Sequence, residues 1–293
     1  MKHKSGFVNI IGNPNVGKST LMNHLVGERL SIITSKAQTT RHRILGIVNE
    51  EDCQIVFSDT PGIVNPAYKL HEGMMQFVNT AIIDADIILF MTEIGEKGIK
   101  DEKTFDKIVN AKVPVLLLLN KIDTADQELL EQKVSDWKEL LPNAEIIPLS
   151  ALEEFNIEFV LKRIKELLPE SPPYYDKDEL TDKPERFFVS EIIREKIFLN
   201  YKKEIPYCCE VLIESYKESE KLVHIMANII VARDSQKGII IGHKGTKLKK
   251  VGMEARKDME QFLQKKVYLE VFVKVDKNWR EDENRLKNYG YLN

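Results

Sequence analysis

The chain has 293 residues, of which 43% are hydrophobic and 30% charged, with a formal net charge of −3. This composition is typical of a globular protein of about two domains and excludes a disordered or fibrous chain. It has no apolar run long enough to span a membrane, and we expect no signal peptide before the first predicted strand. Cys53, Cys208 and Cys209 lack metal-ligand spacing and favour a reducing compartment, so we expect a cytoplasmic protein.

The first half of the chain predicts alternating strands and helices. Apolar runs at 7–11 and 113–119 are typical of buried strands, and the stretches 54–58 and 146–149 are strand-like. A helical apolar face follows the first run, and residues 156–168 predict the last helix of this domain because their apolar side chains share one face. This order is typical of an α/β domain.

Prolines at 169–173 end that helix, and a polar stretch follows. We therefore predict a first domain at 1–170, a linker at 171–184 and a second domain at 185–293. In the second domain, the residue pattern predicts helices at 186–200, 246–263 and 282–288, and strands at 210–215, 223–231 and 267–275.

Charge is distributed unevenly along the chain. Residues 1–180 contain 20 basic and 28 acidic side chains, whereas residues 181–293 contain 23 basic and 18 acidic ones. The net charges are therefore −8 and +5. A basic excess favours an anionic partner for the second half, and its modest size supports nucleic acid without identifying it.

The first predicted strand leads into a phosphate-binding loop of the pattern G-x-x-x-x-G-K-[ST], which a helical pattern follows. Glycines at both ends let backbone N–H groups point at phosphates, and the positive end of the following helix adds to the field. Lys18 is expected to reach the β- and γ-phosphates, and the Ser19 hydroxyl to bind Mg²⁺. The predicted nucleotide-binding residues here are Gly12, Asn13, Pro14, Asn15, Val16, Gly17, Lys18, Ser19 and Thr20.

A second motif, directly after the strand at 113–119, selects the base. Asp123 can accept hydrogen bonds from guanine N1–H and from its exocyclic amine, whereas adenine would leave the carboxylate unpaired. Ligands in open α/β sheets lie beyond such strand ends. Backbone N–H groups of a loop after the strand at 146–149 would complete the base pocket. The predicted base-binding residues are Asn120, Lys121, Ile122, Asp123, Ser150 and Ala151.

A third motif, Asp59, Thr60, Pro61 and Gly62, follows the strand at 54–58. We expect Asp59 to hold Mg²⁺ through water, together with Ser19 and a threonine of the segment 31–41. Thr40 is preferred to Thr39 because a threonine directly before arginine resembles related GTPases. Such a segment orders with GTP and is released after hydrolysis, so the domain would also be a switch. The predicted catalytic groups are Lys18, Thr40 and the Gly62 N–H.

Ile63 occupies the position where signalling GTPases have a water-orienting glutamine, and an apolar side chain cannot orient water. We therefore predict slow unaided turnover, and include Ile63 among the nucleotide-site residues. We also hypothesise that Asn15 helps to bind K⁺ near the phosphates, as in GTPases with a similar asparagine in the loop.

A G-x-x-G tetrapeptide in the second half indicates RNA binding. In KH modules this tetrapeptide joins two helical turns and clamps about four nucleotides, because the missing side chains allow close backbone approach. The tetrapeptide alone is common, but its apolar preceding triplet, lysines and amphipathic helix favour a KH module over a glycine-rich helix connection. The predicted RNA-binding residues are Ile241, Gly242, His243, Lys244, Gly245, Lys247, Lys249 and Lys250. Trp279 and Arg280 could either stack on bases or lie against the domain edge.

Taken together, the motifs and the longer segments 36–43, 190–196, 241–245, 252–259 and 269–275 resemble the Era-like GTPase family over essentially the whole chain. These proteins are bacterial GTPases with a C-terminal KH domain. The resemblance implies binding to the 3′ end of 16S ribosomal RNA and assistance in 30S subunit assembly. It also leaves room for peripheral association with the inner face of the cell membrane.

We therefore expect an α/β P-loop GTPase domain with a mainly parallel six-stranded sheet, in which 43–49 is the antiparallel strand, followed by a smaller α+β KH (type II) domain. The expected activity is Mg²⁺-dependent GTP hydrolysis coupled to RNA binding, with GTP and GDP as ligands and no obligate protein partner deducible. The alternatives are a membrane-associated signalling GTPase whose second domain binds protein, an ATPase or kinase acting on RNA, which Asp123 disfavours, and an RNA-binding scaffold that holds nucleotide without turnover.

Overall fold

The computed structural model describes residues 3–96 and 101–292. The chain forms two compact units, one comprising residues 1–67 and 71–182 and the other residues 68–70 and 183–293. The domain limits expected at residues 1 and 293 lie outside the described residues. None of the described helices combines the length and hydrophobicity that a membrane span requires.

A six-stranded sheet organises the first unit. Its strands are β1 (Lys4–Gly12), β2 (Ile44–Asn49), β3 (Cys53–Asp59), β4 (Ile87–Glu93), β5 (Val115–Asn120) and β6 (Glu145–Pro148). Their order is β2-β3-β1-β4-β5-β6, and only β2 runs antiparallel to its neighbour. The predicted fold class, including its antiparallel strand, is therefore confirmed.

The helices of this part of the chain are α1 (Lys18–Val26), α2 (Lys69–Ile83), α3 (Glu102–Val109), α4 (Gln127–Leu140) and α5 (Ile157–Leu167). Asp101 and Asp126 begin α3 and α4 by accepting hydrogen bonds from backbone N–H groups of the first turn. Phe90, Phe105 and Trp137 pack edge to face or tilted in the apolar core on one side of the sheet. This core fixes the strands whose carboxyl ends carry the polar motifs.

The segment 174–182, part of the expected linker, lies along the β2 edge of the first unit. The backbone N–H of Ile47 donates to Leu180 O at 2.8 Å, and that of Leu45 donates to Asp182 Oδ1 at 3.0 Å. The buried Gln54 amide donates to Tyr175 O and accepts from the N–H groups of Tyr174 and Tyr175. We call residues 174–182 the edge strap, since they cover an edge strand that would otherwise have unpaired backbone groups.

The second unit is a three-stranded sheet covered by helices. Its strands β7 (Cys209–Glu218), β8 (Leu222–Val231) and β9 (Lys266–Val275) lie in that order, with β7–β8 antiparallel and β8–β9 parallel. Its helices are α6 (Glu185–Asn200), α7 (Ile205–Cys208), α8 (Asp234–Ile241), α9 (Thr246–Leu263) and α10 (Glu283–Asn288). Apolar residues of α6, α8, α9 and the sheet form one core, so the expected α+β domain is confirmed.

Candidate functional site

The phosphate-binding loop joins β1 to α1. Gly17 has a φ of 104°, a left-handed backbone conformation that favours glycine, and α1 begins at the next residue. At Gly62 a side chain would meet the Pro14 backbone at 2.7 Å, so the third motif approaches the loop as closely as only glycine allows. The backbone of Ile63 also donates to Gly12 O at 3.1 Å. These contacts hold two of the predicted motifs together.

A pocket of about 300 Å³ brings most of the predicted nucleotide-binding residues together. Those that line it are Pro14, Asn15, Gly17, Lys18, Ser19, Thr20, Thr40, Gly62, Asn120, Lys121, Asp123 and Ala151. Residues that the sequence analysis did not assign to the site also line it, namely Ile32, Ile33, Thr34, Lys36, Gln38, Thr39, Thr124 and Leu152. Most of these belong to the segment 31–41. Because this segment was expected to contact the γ-phosphate and Mg²⁺, its other residues could also have been predicted to line the pocket.

The other predicted residues lie outside the pocket lining. Gly12, Asn13, Val16, Asp59, Thr60, Pro61 and Ile63 are buried, whereas Ile122 is half-buried and Ser150 is buried beside the base motif. The Thr60 hydroxyl donates to Ile10 O at 2.7 Å and so fixes its loop to β1. The Ile63 side chain lies in the apolar core with Ile11 and Val78, so it does not face the pocket.

Three oxygen atoms converge beside the phosphate-binding loop. Ser19 Oγ lies 2.9 Å from Thr40 Oγ1 and donates to Asp59 Oδ2 at 2.7 Å, while Thr40 Oγ1 lies 3.3 Å from Asp59 Oδ2. Adjacent oxygen ligands of an octahedral Mg²⁺ are about 2.9 Å apart, because each lies about 2.0–2.1 Å from the ion. Asp59 Oδ1 is buried and has no hydrogen-bond partner among the described residues. Ser19 Oγ and Thr40 Oγ1 therefore have the spacing of two adjacent ligands of a small divalent cation, and the Asp59 carboxylate lies within hydrogen-bond distance of both.

Thr40, rather than Thr39, approaches Ser19 and Asp59. The Thr39 hydroxyl instead lies 2.6 Å from Thr34 Oγ1 and donates to Lys36 O at 2.7 Å, which braces the segment 34–39 internally. The structure thus separates the two threonines that the sequence could distinguish only by resemblance.

Lys18 is buried at the base of the loop. Its Nζ donates to Asn13 O at 2.8 Å and to Gly12 O at 3.1 Å. Burial lowers the pKa of Lys18 from 10.5 to about 8, and the nearby Asp59 and Glu96 carboxylates oppose this effect. Burial likewise raises the pKa of Asp59, against the opposing effects of Lys18 and three neighbouring hydroxyl groups. Both pKa shifts result mainly from desolvation of the charged form. An oppositely charged ligand beside each group would stabilise that charged form and oppose the shift.

At the opposite end of the pocket, Asn120 connects two loops. Its Nδ2 donates to Val16 O at 2.6 Å, and its Oδ1 accepts from the Ala151 N–H at 2.9 Å. Asp123 is exposed at this end and accepts a 2.5 Å hydrogen bond from Ser150 Oγ. Lys121 has a positive φ of 64° and forms an ion pair with Glu93 at the end of β4. The base motif is therefore fixed relative to the phosphate-binding loop.

In the second unit, the G-x-x-G tetrapeptide makes a sharp connection between α8 and α9. Gly242, Lys244 and Gly245 have φ values of 71°, 48° and 76°. Gly245 directly precedes the 18-residue helix α9, so the positive end of this helix begins at the tetrapeptide. The Tyr201 hydroxyl donates to Ile240 O at 2.6 Å and anchors the end of α8.

An open groove of about 390 Å³ lies between α9 and β9. It is lined by Gly245, Leu248, Lys249, Gly252, Met253, Arg256, Leu269 and Val271. Among the predicted RNA-binding residues, only Gly245 and Lys249 line this groove. Ile241, Gly242, His243, Lys244, Lys247 and Lys250 do not, and of these Ile241 packs partly against the core. Lys247 Nζ lies 6.0 Å from the centre of the Tyr201 ring.

Met253 and Arg256 were missed by the sequence analysis. Their helical spacing from Lys249 provides a signal that could have found them, because residues three, four and seven apart share a helix face. Trp279 is fully buried, which removes it as a platform for base stacking.

A phosphate-binding loop, a cluster of oxygen ligands and a guanine-type motif on a mainly parallel sheet define a P-loop GTPase, here joined to a KH domain. A family model described as 50S ribosome-binding GTPase matches residues 7–121, and a KH-domain model matches residues 204–280. Two solved structures are similar over nearly the whole chain.

One is Era in complex with MgGDPNP and nucleotides 1506–1542 of 16S ribosomal RNA, at 37% identity and a TM-score of 0.94. The other is an Era variant from Aquifex aeolicus bound to GDP·AlF₄⁻, at 37% identity and a TM-score of 0.93. Both alignments cover 99% of this chain and 100% of the other. The chain belongs to the Era family of GTPases.

Proposed function

We propose that this protein binds and hydrolyses GTP as a nucleotide switch, and that its KH domain binds the 3′ region of 16S ribosomal RNA during 30S subunit assembly. The observation that carries the nucleotide site is the convergence of Ser19, Thr40 and Asp59 at one end of a pocket whose other end holds Asp123. We place the protein in the cytoplasm, and co-sedimentation with liposomes tests for peripheral association with the inner face of the cell membrane.

Within this site, Ser19 and Thr40 would ligate Mg²⁺, and Asp59 would hold it through water. When bound, the ion neutralises charge on the β- and γ-phosphate oxygens. Lys18 would place its ammonium group against the same phosphates, and the Gly62 N–H would donate to the γ-phosphate. Because such donors are already oriented in the folded protein, they stabilise developing charge without reorganising during the reaction.

Hydrolysis is proposed to be slow without help, since Ile63 lies in the core and cannot orient the attacking water. A second cation near the phosphates would compensate for this. Asn15 is exposed at the pocket with a positive φ of 67°, and its Nδ2 donates to Ser35 O at 3.2 Å. The Asn15 amide oxygen and this carbonyl oxygen are the type of ligand that K⁺ prefers.

We therefore expect several-fold faster GTP turnover in KCl than in NaCl at equal ionic strength. Steady-state phosphate release measures the rate in both salts. The Asn15→Ala variant is the control and should turn over equally slowly in both. Equal rates for the unmutated protein would remove K⁺ from the mechanism while leaving the Mg²⁺ site unaffected.

The RNA-binding part of the proposal relies on the tetrapeptide at the start of α9 and on the groove that follows it. Gly242 and Gly245 both have positive φ values, which favour glycine. Because glycine has no side chain, the backbone is open here to the approach of a ribose-phosphate chain. Lys249 and Arg256 add positive charge beside the apolar groove lining of Leu248 and Met253. A groove lined by both apolar and basic side chains suits bases that are splayed away from their phosphates.

The test is GTP turnover and RNA binding with a short RNA that copies the 3′ end of 16S ribosomal RNA. A variant with Gly242→Asp and Gly245→Asp places two carboxylates and two side chains at the tetrapeptide and should lose RNA binding. RNA that binds and accelerates turnover only in the unmutated protein supports the proposal. If RNA does not change the rate of GTP turnover and the protein co-sediments with liposomes, the results would instead favour a membrane-associated GTPase.

A further inference from the structure

Glu96 follows β4 and joins this strand to the phosphate-binding loop through its side chain. Its Oε1 accepts from Asn13 Nδ2 at 2.7 Å. Its Oε2 accepts from the Thr92 hydroxyl at 2.8 Å and lies 3.4 Å from the Glu93 N–H. The two oxygens of one carboxylate therefore contact two different parts of the first unit.

Asn13 transmits this contact to the phosphate-binding loop. The residue is only 2% exposed, so its side chain lies beneath the loop rather than in the pocket. The backbone carbonyl oxygen of Asn13 accepts the 2.8 Å hydrogen bond from Lys18 Nζ. A continuous series of hydrogen bonds thus leads from β4 through Glu96 and Asn13 to the lysine that the proposed mechanism places against the phosphates.

The Glu96 carboxylate is not needed to close the turn that it occupies. The turn is already closed through backbone atoms, since Glu96 N donates to Glu93 O at 3.0 Å. The Glu96 carbonyl also accepts from Lys133 Nζ at 3.3 Å, which ties the turn to α4. The carboxylate is therefore the group whose placement matters to the phosphate-binding loop.

We propose that Glu96 is a positioning residue for nucleotide binding, which acts by holding the Asn13 side chain and thereby the loop carbonyl that orients Lys18. Glu96 does not line the pocket, so it does not touch the nucleotide itself, and Asn13 is its hydrogen-bonded connection to the phosphate-binding loop. Binding groups are effective when neighbouring hydrogen bonds lock their geometry before the ligand arrives. The proposal rests on the nucleotide site described above.

A double-mutant cycle on GDP affinity tests it with the full-length protein. The four proteins are the unmutated chain, Asn13→Ala, Glu96→Ala and the double variant. We expect each single variant to weaken GDP binding by about tenfold, and the double variant to be no weaker than the worse single one, because both remove the same contact. The Glu96→Gln variant keeps an acceptor oxygen for Asn13 and should recover most of the affinity.

Thermal unfolding of each protein without nucleotide separates positioning from stability. The proposal requires that GDP affinity falls in variants that remain folded at the assay temperature, and Glu96→Gln provides a folded comparison if Glu96→Ala does not fold. It is overturned if Glu96→Ala binds GDP within about twofold of the unmutated protein, or if the two single effects multiply to about 100-fold. Failure of the unmutated protein to bind GDP would instead refute the proposed function.

Discussion

Lys18 illustrates how burial prepares one residue for its ligand. In the folded protein its pKa is about 8 instead of 10.5, because the ammonium group is desolvated. A bound phosphate would stabilise the ammonium form and raise this pKa again. Nucleotide binding above pH 8 should therefore be accompanied by proton uptake, whereas binding well below pH 8 should not.

This proton uptake determines how GDP affinity changes with pH. Between the free and bound pKa values of Lys18, the nucleotide must bind together with a proton, so affinity falls as the pH rises. We expect GDP affinity to be nearly constant from pH 6.5 to 7.5 and to fall above pH 8 with a slope approaching about tenfold per pH unit. Isothermal titration in buffers with different ionisation enthalpies would measure both the affinity and the proton uptake.

The control for this prediction is Lys18→Arg, whose guanidinium stays charged throughout this range. Its affinity is expected to be weaker and to vary with pH only through ionisation of the guanine base. The comparison also corrects for ionisation of the guanine base at high pH, which affects both proteins equally. A fall of the same steepness in the Lys18→Arg variant would assign the pH dependence to another group.

At the residue scale, sequence motifs predicted twelve of the twenty residues that line the pocket, but not what holds them there. Lys18 and Asp123 could be identified because their chemistry depends on short, local patterns. The Asn13–Glu96 contact could not, because its partners are 83 positions apart in the sequence and neither side chain belongs to a recognisable pair. The burial of the Ile63 side chain was also not predictable from its position after Gly62, since the backbone direction there depends on the packing of α2 and β1.

At the scale of elements, the edge strap stabilises the β2 edge of the first unit. The strap supplies partners for backbone groups of Leu45 and Ile47 and for the buried amide of Gln54. The Tyr174 ring also packs against Phe7 at 5.0 Å between centroids. Removing the strap would expose the edge of the sheet and leave the Gln54 side chain without these hydrogen bonds.

We therefore expect a first unit that ends at Asp182 to be more stable than one that ends at Glu170. The loss should be about 2–4 kcal/mol in the free energy of unfolding, because several hydrogen bonds of about 1 kcal/mol and one aromatic contact disappear. This corresponds to a melting temperature lower by about 5–15 °C. Urea and thermal unfolding of both fragments would measure it, and indistinguishable transitions would show that the strap contributes nothing.

Strands and helices were more predictable than this strap. β5 is a long apolar run and β3 contains three consecutive apolar residues, while α5 begins and ends within one residue of the helix expected from its apolar face. The strap has neither apolar periodicity nor a strand-like pattern. Apart from the rings of Tyr174 and Tyr175, it binds the sheet edge through backbone groups and polar side chains. Such contacts leave no hydrophobic signal in the sequence, so this stretch was expected to be a linker only.

Across the whole molecule, charge is the property that links composition to the proposed RNA partner. The chain is acidic overall, yet residues 181–293 have a net charge of +5. Within that region, Lys249 lines the groove of α9, whereas Lys250 pairs with Glu254 at 3.7 Å and lies outside the groove. The two adjacent lysines should therefore contribute differently to RNA binding.

RNA affinity should depend on salt as expected for a short clamp on a single strand. With three or four phosphate contacts, the logarithm of the affinity should fall with the logarithm of salt concentration with a slope of about −2 to −3. Lys249→Gln should make this slope less steep by about 0.7, the value for one phosphate contact on a single strand. Lys250→Gln is the matched control and should leave the slope unchanged. Titrations of labelled RNA from about 50 to 200 mM KCl would measure all three slopes, and equal effects of the two substitutions would mean that the groove side of α9 does not define the path of the RNA.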